Sequence, residues 1–254
     1  MTEHRALIGY IYDTGSRHPA YNAPMKITDV RALVTGGTSG IGFAIARQLK
    51  EKGGEVVICG RDESKLRDAA AAIGVHGIRA DVSIESEAVN VVRETVARFP
   101  DYNVLINNAG FGSFAPLLET DLGSMQAIFA TNVFGAMVVA RESARHFISR
   151  KRGNIINMSS SAGVRGFAGG TAYAASKFAV SGMTECWRAE LRKHDIRVMQ
   201  INPSEVQTDF FRGGRPQSDR KLRSMEIAHA ALSMLEMDDR GFITDLSVWA
   251  TNPD

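Results

Sequence analysis

The sequence predicts an α/β fold: one doubly wound parallel sheet of about seven strands, flanked by helices on both faces. Three observations predict it. Short β-rich apolar runs alternate with longer stretches of helical pattern, the arrangement that right-handed crossovers turn into parallel strands. The runs are apolar at nearly every position rather than at alternate ones, as in strands covered on both faces. A glycine-rich turn, "TGGTSGIG" at 35–42, directly follows the first run.

Taken in order, strands are expected at "VRALVT" (30–35), "EVVICG" (55–60), "HGIRA" (76–80), "NVLINN" (103–108), "NIINMSS" (154–160), "IRVMQIN" (196–202) and "FITDLSV" (242–248). Each is short, β-rich and bounded by Gly, Asn or Asp. Helices are expected near 40–52, 63–72, 84–99, 117–149, 172–194 and 219–237. No Pro/Gly linker, repeat or low-complexity tract interrupts 29–254, so this span reads as a single Rossmann-type domain. Residues 1–28 show no sustained period. They read as an N-terminal extension, either draped over the domain or added by an upstream start.

Bulk composition removes several classes. With 254 residues, 44% hydrophobic, the chain can bury one large core or two small ones. A net charge of +2, with Lys and Arg clustered only at 145–152 and 188–197, gives no basic surface for nucleic acid. Cys59 and Cys186 have no CxxC spacing, and the six histidines show no ligand spacing. Neither a disulfide nor a metal site is expected. The N-terminus lacks the build of a signal peptide, and no apolar run is read as approaching the roughly 18 residues of a membrane span. The expectation is a cytoplasmic protein without membrane partners.

The turn at 35–42 holds Gly36, Gly40 and Gly42 at a strand-to-helix junction. Glycines let a backbone approach a pyrophosphate, which the positive helix N-terminus then favours. A tight βα turn without a ligand would use the same residues, but the position after the first strand of a doubly wound pattern favours a dinucleotide. At the end of the second strand stand Gly60 and Arg61, where an NAD site usually has an acid for the ribose 2′-hydroxyl. An arginine can instead bind a 2′-phosphate, so NADP(H) is expected over NAD(H). Arg61 could also be a solvated helix-start cation, and Asp62 a helix N-cap.

"TAYAASKFAV" (171–180) sets Tyr173 and Lys177 four residues apart, on one face of a helix. A packing helix with both residues at its edge would look the same. A catalytic pair gives the spacing a purpose. A carbonyl reduction must deliver a proton to the forming alkoxide, and free tyrosine, with a pKa near 10, holds its proton too tightly. A lysine cation about 4 Å away, at an effective dielectric near 20, contributes roughly 4 kcal/mol. That amounts to about three pKa units and would bring the phenol near 7.

"TGGTSGIG", "NNAG" (107–110), "SSSAG" (159–163) and "YAASK" (173–177) occur together and in this order. With them the chain resembles the short-chain dehydrogenase/reductase family, in its branch with an Asn-Ser-Tyr-Lys tetrad, closely over about 29–210. The resemblance implies an NADP-dependent oxidoreductase acting on CH–OH, with Tyr173 as general acid/base and Lys177 as its partner. Ser160 would bond the substrate oxygen, although Ser159 and Ser161 flank it. Asn132 would hold a water linking Lys177 to solvent. The implied cofactor set is Gly36, Thr38, Ser39, Gly40, Ile41, Gly42, Arg61, Asp81, Val82, Asn108, Ala109, Gly110, Tyr173, Lys177, Pro203, Val206 and Thr208. Asp81 and Val82 would border the adenine, and Val206 and Thr208 the carboxamide of the nicotinamide. The helices at 117–149 and 172–194 would form the interface of a homodimer or homotetramer.

Two features depart from the family pattern. Ser204 stands where glycine is usual, with Glu205 beside it, and either could change the nicotinamide pose or narrow the pocket. "FFRGGRPQSDR" (210–220) reads as a substrate lid, with Phe210 and Phe211 for contact and Gly213 and Gly214 as hinges. Val164 and Phe167 add apolar character. The expected substrate is a small or medium apolar carbonyl or alcohol, a 3-oxoacyl thioester or a hydroxy acid. A thioester on a carrier protein would call for Arg188, Arg192 and Lys193 near the pocket. The competing function is a nucleotide-sensing protein that kept the fold and lost the chemistry. An extended-branch epimerase is disfavoured by the short C-terminal part.

Overall fold

The structure is a computed structural model and describes residues 25–208, 218, 220–238 and 240–251. Its strands are β1 (Arg31–Thr35), β2 (Glu55–Gly60), β3 (His76–Arg79), β4 (Val104–Asn107), β5 (Gly153–Met158), β6 (Ile196–Pro203), the short pair β7 (Val206–Gln207) and β8 (Leu222–Arg223), and β9 (Asp245–Val248). Seven of them form one all-parallel sheet in the order β3-β2-β1-β4-β5-β6-β9. Connections run outward in both directions from β1 and β4, so the crevice of a doubly wound sheet lies beyond their C-terminal ends.

Strand period divides the core into two layers. In β1, Ala32 and Val34 face one side while Leu33 faces the other. The first side packs under α1 (Gly40–Glu51), α2 (Glu63–Ile73) and α7 (Ser224–Leu235). The second packs under α3 (Glu85–Arg98) and α5 (Ala136–Arg150), with Trp187 and Leu191 of α6 (Thr171–Leu191) beside them. Met25 and Ile27, ahead of the expected domain start at 29, are buried in the first layer. The rest of the expected extension, 1–24, and most of the expected lid, including Phe210, Phe211, Gly213 and Gly214, lie outside the described residues.

The helix expected at 117–149 is not one regular helix. A short turn at Leu117–Glu119 precedes α4 (Leu122–Phe129), and a π-helical segment, Ala130–Gly135, joins α4 to α5. Such a widened turn inside a helix is rare and recurs at functional sites. The stretch Leu122–Arg150 also corrects the expectation that no apolar run reaches span length, since it contains an 18-residue window of mean hydropathy 1.5. Periodicity failed here because no charged residue marks a solvent face in α4 or the π segment. Val138, Val139 and Phe147 of α5 are buried against the sheet, and Asn132 is buried within the π segment.

Other boundaries moved for local reasons. β5 ends at Met158, which leaves Ser159 and Ser160 beyond the strand. The helix expected at 219–237 begins at Ser224, because Leu222 and Arg223 pair with Val206 and Gln207 instead.

Candidate active site

The C-terminal ends of β1, β2, β4, β5 and β6 open onto one cleft of about 1000 Å³. Nearly all the expected site residues line it. Gly42 and Asn132 do not, and both stand behind its wall.

At one end, Gly36 and Gly40 take φ of +64° and +56°, which lets the chain turn sharply from β1 into α1. A side chain on Gly36 would come 2.9 Å from the Cα of Ala109. Gly42 serves the turn itself, since a Cβ there would meet the Gly36 carbonyl at 2.4 Å. Ser39 is the N-cap of α1, yet its side chain makes no capping bond, so the first-turn amides of α1 face the cleft unspent. Thr208 lies over the same turn, its Cγ2 3.3 Å from where a Gly40 Cβ would stand.

Thr35 ties this turn to the loop after β4, and the sequence reading passed it over. It is fully buried, and its hydroxyl accepts the backbone N–H groups of Asn108 and Ala109, each at 2.9 Å. Asn108 answers by donating its amide to the carbonyls of Thr35 and Gly36, at 2.9 and 3.2 Å. Asn108 is therefore a clamp between the β1 and β4 loops. A threonine closing an apolar strand is the only sequence signal for it.

At the β2 end, Asp62 is the N-cap of α2 and accepts from the Lys65 amide at 3.0 Å. This leaves Arg61 as the first polar side chain after β2 facing the cleft, with Lys65 alongside it. Lys65 was missed too; its signal is the spacing of four from Arg61. Asp81 and Val82 border the same region, and the Asp81 carboxylate accepts from the Ser83 N–H and hydroxyl. Cys59 lines the floor, where burial pushes its thiol up to about 12, so it offers no thiolate.

The other end holds the expected tetrad. Ser160 begins the short turn Ser161–Gly163, where its hydroxyl accepts from Ala162 N–H at 3.1 Å, and it also bonds the Tyr173 phenol. Ser159 points away, donating to the Lys177 carbonyl and lying 3.2 Å from the Ser181 hydroxyl. The serine beside Tyr173 is therefore Ser160. Tyr173 and Lys177 lie in the first half of α6, both buried. Asn132 donates to Ser176 Oγ and to the Phe111 carbonyl, and accepts from the Phe111 N–H. An amide can make four hydrogen bonds, so one lone pair on Asn132 Oδ1 is left for a water. Gly110 must be small here, because a Cβ would come 3.0 Å from that oxygen and 3.7 Å from Lys177 Nζ.

The electrostatics differ from the expectation of a phenol drawn down toward 7. Burial holds the Tyr173 phenol above its ordinary value, and its bond to Ser160 opposes the rise. Burial also brings Lys177 down to about 8. The reason is geometric: the ammonium donates to the Met158 carbonyl at 2.8 Å and lies 5.8 Å from the centre of the Tyr173 ring. Both groups have lost water, and no anion among the described residues compensates.

Other expectations also change. Arg188 bonds the Val198 and Thr244 carbonyls and Asp245, and lies about 22 Å along α6 from Tyr173 at helical rise. With Arg192 and Lys193 further on, the basic cluster does not edge the cleft. Pro203, Ser204, Glu205 and Val206 do line it; the Ser204 N–H bonds the Val248 carbonyl, and Glu205 pairs with Lys221 at 3.1 Å. The open α1 amides, the close backbone at Gly36 and the cations at the β2 end fit a phosphate-bearing dinucleotide.

The sequence profile of the short chain dehydrogenases matches residues 30–219. The L-xylulose reductase of Caenorhabditis elegans is 34% identical over 210 residues, 80% of this chain and 82% of that protein. An uncharacterized oxidoreductase of Staphylococcus saprophyticus is 30% identical over 230 residues, 88% and 98% of the two chains. Among solved structures, a metagenomic short-chain oxidoreductase in complex with NADP superposes with a TM-score of 0.79 at 31% identity, covering 90% of this chain and 100% of that one.

The lowered value for Lys177 has a consequence for stability. Its folded pKa lies below the unfolded 10.5, so the unfolded chain binds more protons between about pH 8 and 10.5, and stability rises with pH across that window. In urea unfolding, the protein is expected to gain about 2 kcal/mol relative to Lys177→Met between about pH 7 and about pH 9.5. A difference that stays constant over that range contradicts a buried, depressed lysine.

Proposed function

The chain belongs to the short-chain dehydrogenase family, and on that premise we propose that it interconverts a carbonyl and a secondary alcohol with NADP(H), Tyr173 acting as general acid/base. The observation that carries this reading is the convergence of Ser160, Tyr173 and Lys177 at one end of a cleft whose other end holds Arg61 and Lys65.

Bound in the cleft, the nicotinamide supplies or takes up the hydride. The protein's own residues do the rest. The α1 amides and the Gly36 turn hold the pyrophosphate, and Arg61 and Lys65 take a 2′-phosphate that the capping Asp62 is not placed to oppose. Ser160 donates to the substrate oxygen and fixes it near the phenol. In reduction, Tyr173 gives its proton to that oxygen as the alkoxide forms. The buried Lys177 ammonium then faces a phenolate in a low dielectric, where its charge counts for more than in water. Asn132, locked to Phe111 and Ser176, holds the water through which the proton is replaced.

Self-association belongs to the same proposal. Phe134 and Phe178 are 58% and 47% exposed on the helices expected to form an interface, more apolar area than a lone helix needs to show.

Two measurements check the reading. Arg61→Ala combined with Lys65→Ala is expected to reduce the preference for NADPH over NADH at least about tenfold, read by nicotinamide fluorescence, with NADH affinity little changed. An equal loss for both nucleotides would show that the cations do not read the 2′-phosphate. The pH profile is a separate check. Reduction needs the phenol protonated and Lys177 charged, so kcat for a ketone should be level around neutrality and fall above about pH 8. Tyr173→Phe should remove turnover, and a rate that climbs through pH 8 in the wild type would exclude this assignment.

A further inference from the structure

We propose that Arg165, stacked on Trp249 at the substrate end of the cleft, binds a carboxylate of the substrate, so that the natural substrate is an apolar ketone or alcohol that also carries a carboxylate. The inference rests on the carbonyl–alcohol reading above and narrows its substrate class.

Arg165 lies in the loop between Ser161–Gly163 and α6, and it shares the cleft wall with Ser160, Phe167 and Tyr173. Its guanidinium carbon is 4.8 Å from the centre of the Trp249 ring. Trp249 directly follows β9, whose Val248 is in register with Pro203 of β6. The indole therefore stands beside the end of β6, where Ser204 and Glu205 line the cleft.

Three observations point to a ligand. First, core packing does not explain the pair, because Trp249 is 51% exposed and Arg165 is exposed as well. Second, Glu205, an acid of the same lining, is paired with Lys221 at 3.1 Å, and no ion pair of Arg165 is formed among the described residues. Third, the wall between Arg165 and Tyr173 is apolar and aromatic. Phe114 meets Tyr173 edge-on at 5.5 Å and Phe167 at 6.0 Å, centre to centre.

These features divide a substrate into three parts. Its carbonyl meets Ser160 and Tyr173, its apolar body lies along Phe114 and Phe167, and its charged end reaches Arg165. Stacking occupies the face of a guanidinium and leaves its N–H rim for the bidentate contact that a carboxylate fits. An exposed arginine in open water gains little from an ion pair. One already held on an indole loses less freedom when it binds, which turns a weak contact into a selective one. Trp249 acts here as a positioning residue.

The test compares an aryl keto acid with its methyl ester, as substrates of the full chain with NADPH. The acid-over-ester ratio of kcat/KM is expected to fall at least about tenfold in Arg165→Gln, through KM for the acid, and to be partly kept in Arg165→Lys. Trp249→Leu should lower the ratio by a smaller factor, again through KM. Arg93→Gln, on the exposed face of α3, serves as the control. The proposal is overturned if Arg165→Gln leaves the ratio within about twofold of wild type, or if it weakens NADPH binding while the ratio stands. A wild type that consumes NADPH with ketones but shows no Arg165 effect removes only this assignment. A wild type that reduces no carbonyl removes the underlying reading as well.

Discussion

The site is organised around one buried cation. Lys177 places its ammonium on the last carbonyl of β5, under the ring of Tyr173, with burial bringing it down to about 8. A charge in that position is costly unless its surroundings are fixed, and the neighbouring sequence reads as the fixing of them. Gly110 leaves room for the ammonium and for Asn132. The π segment brings the Asn132 amide onto Phe111 and Ser176, and so locks the loop after β4 to α6. The Ser159 hydroxyl is spent on the carbonyl of Lys177 itself, which leaves Ser160 beside the phenol.

The second constraint is the crevice of the doubly wound sheet. Because connections diverge from β1 and β4, the loops after these strands must face one another across a gap. Thr35 and Asn108 set the width of that gap with reciprocal bonds between the two loops. One end of the resulting cleft carries backbone amides and cations, the other a phenol, a serine and aromatic walls. The phenol end is completed from far along the chain, since the register of β9 on β6 delivers Trp249 to Arg165.

Much of this was legible in the sequence. The apolar strands, the glycine turn and the four-residue spacing of Tyr173 and Lys177 follow from local rules, and the structure has all seven strands of the expected sheet. What was not legible depends on depth and on contacts between distant segments. The spacing of Tyr173 and Lys177 sets a separation but not a dielectric, so a Coulombic estimate placed the phenol low where burial holds it high. The uncharged run from Leu122 hides a π segment, because hydrogen-bond register leaves no trace in hydropathy. Thr35 opens the glycine motif but bonds a loop some seventy residues away, Lys65 carries no motif of its own, and Arg165 gains meaning only from the indole beside it. The basic residues near 190 looked like a docking surface until the length of α6 separated them from the cleft.

The measurement that bears most directly on this account is the titration of Lys177 itself, followed by NMR in protein carrying ¹³C-labelled lysine, with the signal assigned by its loss in Lys177→Met. The account predicts a midpoint near 8. A midpoint at the ordinary lysine value of 10.5 would contradict it, because the ammonium would then be solvated and the arrangement around Tyr173 would lack its organising charge.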